Sequence, residues 1–185
     1  AIRKIGSAGR ACSAAEIRIV DGEGNDVAPG EVGEIICRSP ANMVGYYNRP
    51  DATETALAGG WLHTGDLAQY DDEGYIYISG RAKDMIISGG LNVYPAEVER
   101  VLAQHDDVVE AAVVGKPDKD WGEVGDALVV VRAGATVTSE ELLAYLKDEL
   151  ANYKVPKRIT LTEQPLPRTT SGKVQKFRVK ELLPS

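Results

Sequence analysis

The sequence predicts an α+β fold in two parts: a β-rich subdomain, then a small α+β domain whose short mixed sheet is flanked by helices. Three observations predict it. Up to about residue 80, apolar and polar residues alternate in short runs separated by Gly, Asp and Asn, the pattern of half-buried antiparallel strands. After Gly80, apolar runs such as "VVEAAVVG" and "DALVVVR" carry too few polar residues for a one-sided strand and read as strands covered on both faces. Between and after them stand segments with apolar residues at helical spacing.

The elements follow in order. "AEIRIVD" (15–21) and "EIICR" (34–38) are strands, joined by the turn-rich "GEGNDVAPGEVG". "RPDATETAL" is a short helix, with Pro50 in its first turn and no breaker before Gly59. "LAQYDDEGYIYISG" is a hairpin turning at Asp71–Gly74. "DMIIS" is a short strand, and Gly89 and Gly90 make a tight turn between it and a helix over "PAEVERVLAQH", which opens on Pro95 and places Val98, Val101 and Leu102 on one face. "VVEAAVVG" (108–115) and "DALVVVR" (126–132) are the central strands. "TSEELLAYLKDEL" opens on a capping box, Thr138 with Glu141, ahead of Leu142, Leu143, Leu146 and Leu150. "RITL" is the last strand and "VQKFRVKELL" the last, amphipathic helix. The boundaries expected are a β subdomain over residues 1–80, a hinge over 81–84 and a second domain over 85–185.

Composition narrows the function. A formal charge of -7 argues against general nucleic-acid binding. No apolar run is long enough for a transmembrane helix. Cys12 and Cys37 lack metal-ligand spacing and read as free thiols of a cytoplasmic protein. His63 and His105 have no ligand-like companions and read as structural; no metal site is expected. The charge is uneven, however. Between Tyr153 and Ser185 eight cations stand against Glu163 and Glu181, and a basic stretch in an acidic chain suits either solvent or a phosphorylated ligand. Within it "PLPRTTSGKVQK" (165–176) pairs Gly172 with Lys173, but Val174 follows where a P-loop needs Ser or Thr and no glycine stands five residues earlier.

Three stretches restore sense to that loop: "GWLHTGDLA" (60–68), "GRAKDMIISGGLNVYPAEVE" (80–99) and the Lys173 loop itself, preceded by "GEIICRSPANMVGYYNRPDAT" (33–53). In order and spacing they resemble the adenylate-forming superfamily of acyl-CoA synthetases, luciferases and peptide-synthetase adenylation domains. The resemblance covers nearly the whole chain. It implies the C-terminal third of such an enzyme, because the N-terminal phosphate loop and the aromatic-Gly-x-Thr-Glu motif do not occur; the partner is then the missing N-terminal domain of the same enzyme.

The resemblance implies an AMP-forming ligase that activates a long-chain fatty acid or other carboxylic acid with ATP and Mg2+, releases pyrophosphate, and passes the acyl group to coenzyme A. The Mg2+ would be held mainly by the missing part, and the fragment alone would be inactive. By the same resemblance Lys173 is the catalytic lysine, Asp66 accepts from both ribose hydroxyls and Arg81 also contacts the ribose. Lys83 is the hinge about which the small domain rotates, Gly89 and Gly90 line the pantetheine tunnel, and Tyr153 and Lys154 contact the CoA nucleotide. Leu91 departs from the common Glu and hints at an unusual acid such as malonate. Two other readings stay open: a ligase or adenylation domain that loads a carrier-protein phosphopantetheine, and a non-catalytic binding module.

Overall fold

The computed structural model describes residues 4–184. The chain forms two compact units, Ala1–Lys83 and Asp84–Ser185, together an α+β fold with four helices. No helix among the described residues is long and apolar enough to cross a membrane. Cys12 and Cys37 are free.

The first unit is a four-stranded antiparallel sheet in chain order: β1 (Glu16–Val20), β2 (Gly33–Arg38), β3 (Leu62–Tyr70) and β4 (Ile76–Arg81). Helix α1 (Pro50–Ala56), with proline in its first turn, lies between β2 and β3 in the chain. Alternation turns Ile19 and Ala68 inward with Val27, against Ile35, Tyr70 and Ile76. Polar groups of the sequence close the hairpin: Asp71 Oδ1 accepts the amides of Glu73 and Tyr75, each at 3.0 Å, as an Asx turn does. Its other oxygen takes Lys4 Nζ at 2.9 Å. The sequence reading stopped short on β3. The whole of 62–66, read as a motif around a turn at Gly65, is strand, because a bulge absorbs the turn residue instead of ending the pairing.

In the second unit β5 (Ile86–Ser88), β6 (Leu91–Val93), β7 (Val108–Asp118), β8 (Gly122–Val131) and β9 (Arg158–Thr162) form one mixed sheet. Its order is β6-β5-β8-β7, with β9 also on β8. Only the β8–β9 pairing is parallel, and α3 (Ser139–Glu149) supplies the crossover that a parallel neighbour requires. Alternate residues of β7 and β8 face two cores. Val113, Ala127 and Val129 pack with Val98 and Leu102 of α2 (Pro95–Leu102) and Leu142 and Leu146 of α3. Ala112, Val114, Leu128 and Val130 pack with Val179 of α4 (Lys176–Leu182), Leu166 and Leu183. Both faces are therefore covered, as the unbroken apolar runs required. The capping box at Thr138 and Glu141 is formed. Three readings change. Gly89 and Gly90 turn the chain between two strands, β5 and β6, before the helix begins. β8 starts at Gly122, four residues before Asp126. α4 starts at Lys176, because Val174 is held in a bridge to Arg168.

Candidate functional site

Asp66 and Arg81 face each other across β3 and β4, and Arg81 Nε meets Asp66 Oδ1 at 2.7 Å. Arg81 Nη1 also donates to Thr64 O at 3.3 Å. The bulge that presents Asp66 is built from sequence-distant parts. Gly65 takes φ +70°, a conformation glycine adopts without strain. Glu34 on β2 accepts the Gly65 amide at 2.9 Å and meets His63 Nδ1 at 2.9 Å. Thr64 Oγ1 donates to Ile35 O at 2.7 Å and accepts the Asp66 amide at 3.1 Å. His63 thus helps to fix the Glu34 carboxylate that holds the bulge. Glu34 went unnoticed, since nothing in "VGEIIC" marks which distant amide its carboxylate meets. Both aspartate and arginine side chains remain partly open to solvent, at 34% and 47%. Oδ1 is engaged by the guanidinium, while the second oxygen has no hydrogen-bond partner among the described residues.

Lys173 lies in the second unit, in a loop closed by the Arg168–Val174 bridge. Thr169 holds it on both sides: its amide donates to Lys173 O at 2.8 Å, and its Oγ1 accepts the Lys173 amide at 3.1 Å. Gly172 makes the turn at φ +86°. Of the eight cations between Tyr153 and Ser185, Lys154, Lys157, Arg158, Arg168 and Lys176 are ion-paired. Lys173 is exposed and joins none of the ion pairs among the described residues. Its backbone is pinned and its ammonium is left to meet an anion.

A cavity of about 520 Å³ opens beside the glycine turn, lined by Leu91, Trp121, Val155, Tyr153 and Lys157 among others. Gly89 and Gly90 have φ of +57° and +81°, the paired left-handed residues of a type I′ hairpin. Gly89 is also crowded: a Cβ there would lie 2.6 Å from Trp121 Cε3, and its amide donates to Trp121 O at 2.9 Å. Leu91, in place of the common Glu, gives this wall an apolar side chain. Tyr153 lies on the cavity, but Lys154 turns to Glu97, with Nζ 2.7 and 2.8 Å from its two oxygens. The cation on the cavity wall is Lys157, paired with Asp118 at 2.6 Å. The Lys157 ammonium, then the Asp120 and Trp121 amides, hold the Asp118 carboxyl down at about 2. Trp121 and Lys157 were missed; the only signal was an indole beside a turn glycine. Lys83 is exposed in a 3-10 turn over Ala82–Asp84. Among the described residues no group of three or more His, Cys, Asp or Glu side chains is placed to hold a metal ion.

The AMP-binding enzyme family matches residues 1–47 and the AMP-binding enzyme C-terminal domain family matches residues 97–173. The chain belongs to these AMP-binding enzymes, the adenylate-forming superfamily that its motifs resemble. It is 46% identical to an indoleacetate–CoA ligase of Aromatoleum aromaticum over 98% of its length, which is 35% of the relative. It is 49% identical to a feruloyl-CoA synthase of Amycolatopsis sp. over 96% of its length and 36% of the relative. The o-succinylbenzoate CoA synthetase of Bacillus subtilis, solved with the acyl-adenylate intermediate OSB-AMP, matches at TM-score 0.89 and 44% identity, over 96% of this chain and 36% of that one. The same enzyme solved with ATP and a magnesium ion matches at TM-score 0.87 and 43% identity, again over 96% and 36%. The chain thus spans about a third of the length of these relatives. Their names are those of aromatic-acid ligases, and none of them supports the fatty-acid expectation.

Proposed function

We propose that this chain is the C-terminal part of an AMP-forming carboxylate:CoA ligase that works through an acyl-adenylate. The observation that carries the reading is Lys173, an exposed ammonium that is unpaired among the described residues, on a loop whose backbone is pinned on both sides. Attack of a carboxylate oxygen on the α-phosphorus of ATP brings two anions together, with pyrophosphate leaving. A pre-placed cation lowers that barrier because it meets the charge that develops on the transferring group in the transition state more strongly than the ground-state charge. Asp66, oriented by Arg81, accepts the ribose hydroxyls through its carboxylate oxygens. A thiol then attacks the acyl carbon and AMP departs. For that step Gly89, Gly90, Tyr153 and the Trp121 cavity offer a thin passage and two aromatic faces for an adenine. Lys154, already neutralised by Glu97, is better suited to supporting Tyr153 than to binding phosphate itself.

The Ala82–Asp84 turn, centred on Lys83, serves as the hinge between residues 1–80 and 85–185, so that the second unit presents Lys173 in the first step and the glycine turn in the second. The remainder of the enzyme would hold the Mg2+, which would supply charge neutralisation for the leaving pyrophosphate. An aromatic carboxylic acid is the favoured substrate class, on the names of relatives at 46% and 49% identity. ATP and CoA as co-substrates fit a cytoplasmic enzyme.

The test uses the full-length enzyme. Lys173→Ala should lower acid- and ATP-dependent pyrophosphate release by on the order of 10²-fold, the effect of removing one transition-state donor. Thioester formation from a preformed acyl-adenylate should persist. Equal losses in both half-reactions would overturn the assignment of Lys173. Transfer to a phosphopantetheinyl carrier protein in preference to CoA would overturn the choice of acceptor.

A further inference from the structure

The Lys173 loop carries a second cation that the adenylation reading does not use. Arg168 is tied in two directions at once. One Nη2 hydrogen points to the carboxylate of Glu110 on β7, and Nη1 donates to Gly172 O at 2.7 Å. Glu110 is itself fixed, since its other oxygen accepts the Leu166 amide at 3.0 Å. Leu166 is buried in the core with Val114, Leu128 and Val179, 4% exposed. The result is a continuous tie from the sheet, through one carboxylate and one guanidinium, to the carbonyl immediately before Lys173. The peptide after Lys173 is held separately by Thr169.

We propose that Arg168 and Glu110 are positioning residues that hold Lys173 for adenylation and do not themselves touch substrate. The inference rests on Lys173 acting in that step. A cation on a flexible stem helps a transition state only to the extent that its Cα is already placed. Gly172 makes this acute, because a glycine directly before the lysine gives that peptide no side-chain restraint, and beyond the Thr169 hydroxyl on its N–H its carbonyl is held by Arg168. A planar fork suits this place, since its donors point at Glu110 and at Gly172 O in fixed directions. A lysine at 168 would supply a single ammonium on a flexible stem for two acceptors. The guanidinium is also spoken for: its charge is met by Glu110, which leaves it poorly suited to meeting a substrate phosphate.

The experiment measures the two half-reactions of the full-length enzyme with Arg168→Ala, Arg168→Lys, Glu110→Gln, Lys173→Ala and the Arg168→Ala/Lys173→Ala double variant. Arg168→Ala should lower kcat for adenylation on the order of 10-fold or more, with KM for ATP little changed and thioester formation from preformed adenylate intact. Glu110→Gln should reproduce the loss, and Arg168→Lys should restore only part of it. The double variant should equal Lys173→Ala alone, because a residue acting through Lys173 has nothing to add once the lysine is gone. A full additional loss in the double variant would show direct substrate contact and overturn the proposal, as would matched losses in both half-reactions. Normal adenylation by Arg168→Ala beside an impaired Lys173→Ala would sink the positioning role alone. An unimpaired Lys173→Ala would sink the catalytic assignment and this role with it.

Discussion

Gly89→Ala and Gly90→Ala should destabilise the second unit unequally, and the difference is set by Trp121. Both glycines have left-handed backbone, at φ +57° and +81°. An alanine at either site costs about 1–2 kcal/mol in backbone strain. At Gly90 nothing lies within 4 Å of a new Cβ, so that cost is the whole effect. At Gly89 the new Cβ would sit 2.6 and 2.9 Å from Trp121 Cε3 and Cζ3, and the indole must give way. Trp121 is 51% exposed, so it can swing outward. Doing so gives up roughly half of the ~200 Å² such a side chain can bury, up to about 2.5 kcal/mol at ~25 cal/mol per Å². Gly90→Ala should therefore lower the melting temperature by about 4–16 °C and Gly89→Ala by up to roughly two to three times as much, for a unit of this size. Three of the four helices belong to the second unit, so ellipticity at 222 nm during urea or thermal unfolding follows it. The decisive arm is Gly89→Ala in a Trp121→Ala background, where the cost should fall to that of Gly90→Ala. Equal costs for the two glycines in the parent chain, or an unequal cost that survives loss of the indole, would refute the reasoning.

Two further outcomes are expected. The Asp118 carboxyl is held down from 3.8 to about 2, chiefly by Lys157; its stabilising contribution is therefore complete above the unfolded value and is lost as pH falls toward the folded one. The melting-temperature advantage of the parent chain over Asp118→Asn should be flat above about pH 5 and shrink as pH falls to about 2; a difference that does not vary with pH across that window would contradict the Lys157–Asp118 pair. In the full-length enzyme, Lys83→Pro should keep adenylation and lose thioester formation on the order of 10-fold or more, while Lys83→Ala stays nearly silent. A 3-10 turn such as Ala82–Asp84 accommodates the φ that proline imposes, so the unit should still fold and only rotation should suffer. Loss of adenylation with thioester formation intact would reverse the assignment of orientations, and survival of both would remove Lys83 as the pivot.

What could be read from the sequence was governed by short-range chemistry. The Thr138–Glu141 capping box closes within three residues, and Asp71 ties its own hairpin within four. Pro95 opens α2 where its missing N–H costs nothing. The unbroken apolar runs of β7 and β8 required two covered faces, and two cores cover them. In each case the partner lies a few residues along the chain or is any apolar surface, so the sequence suffices. The motif residues Asp66, Arg81 and Lys173 were legible as a set by resemblance to the superfamily.

What only the tertiary structure decided are pairings between residues far apart in the chain. Glu34 reaches the Gly65 amide, Trp121 presses on Gly89, and Glu110 holds Arg168. Lys154 and Lys157 look alike in the sequence, yet one faces Glu97 on α2 and the other Asp118 at the end of β7. A long flexible side chain carries no local signal of which distant carboxylate it will meet. That choice is made by strand register, since a one-residue shift turns every side chain to the opposite face. It is made also by bulges such as the one in β3, which change which residues stand opposite each other without leaving a mark on the hydrophobic pattern.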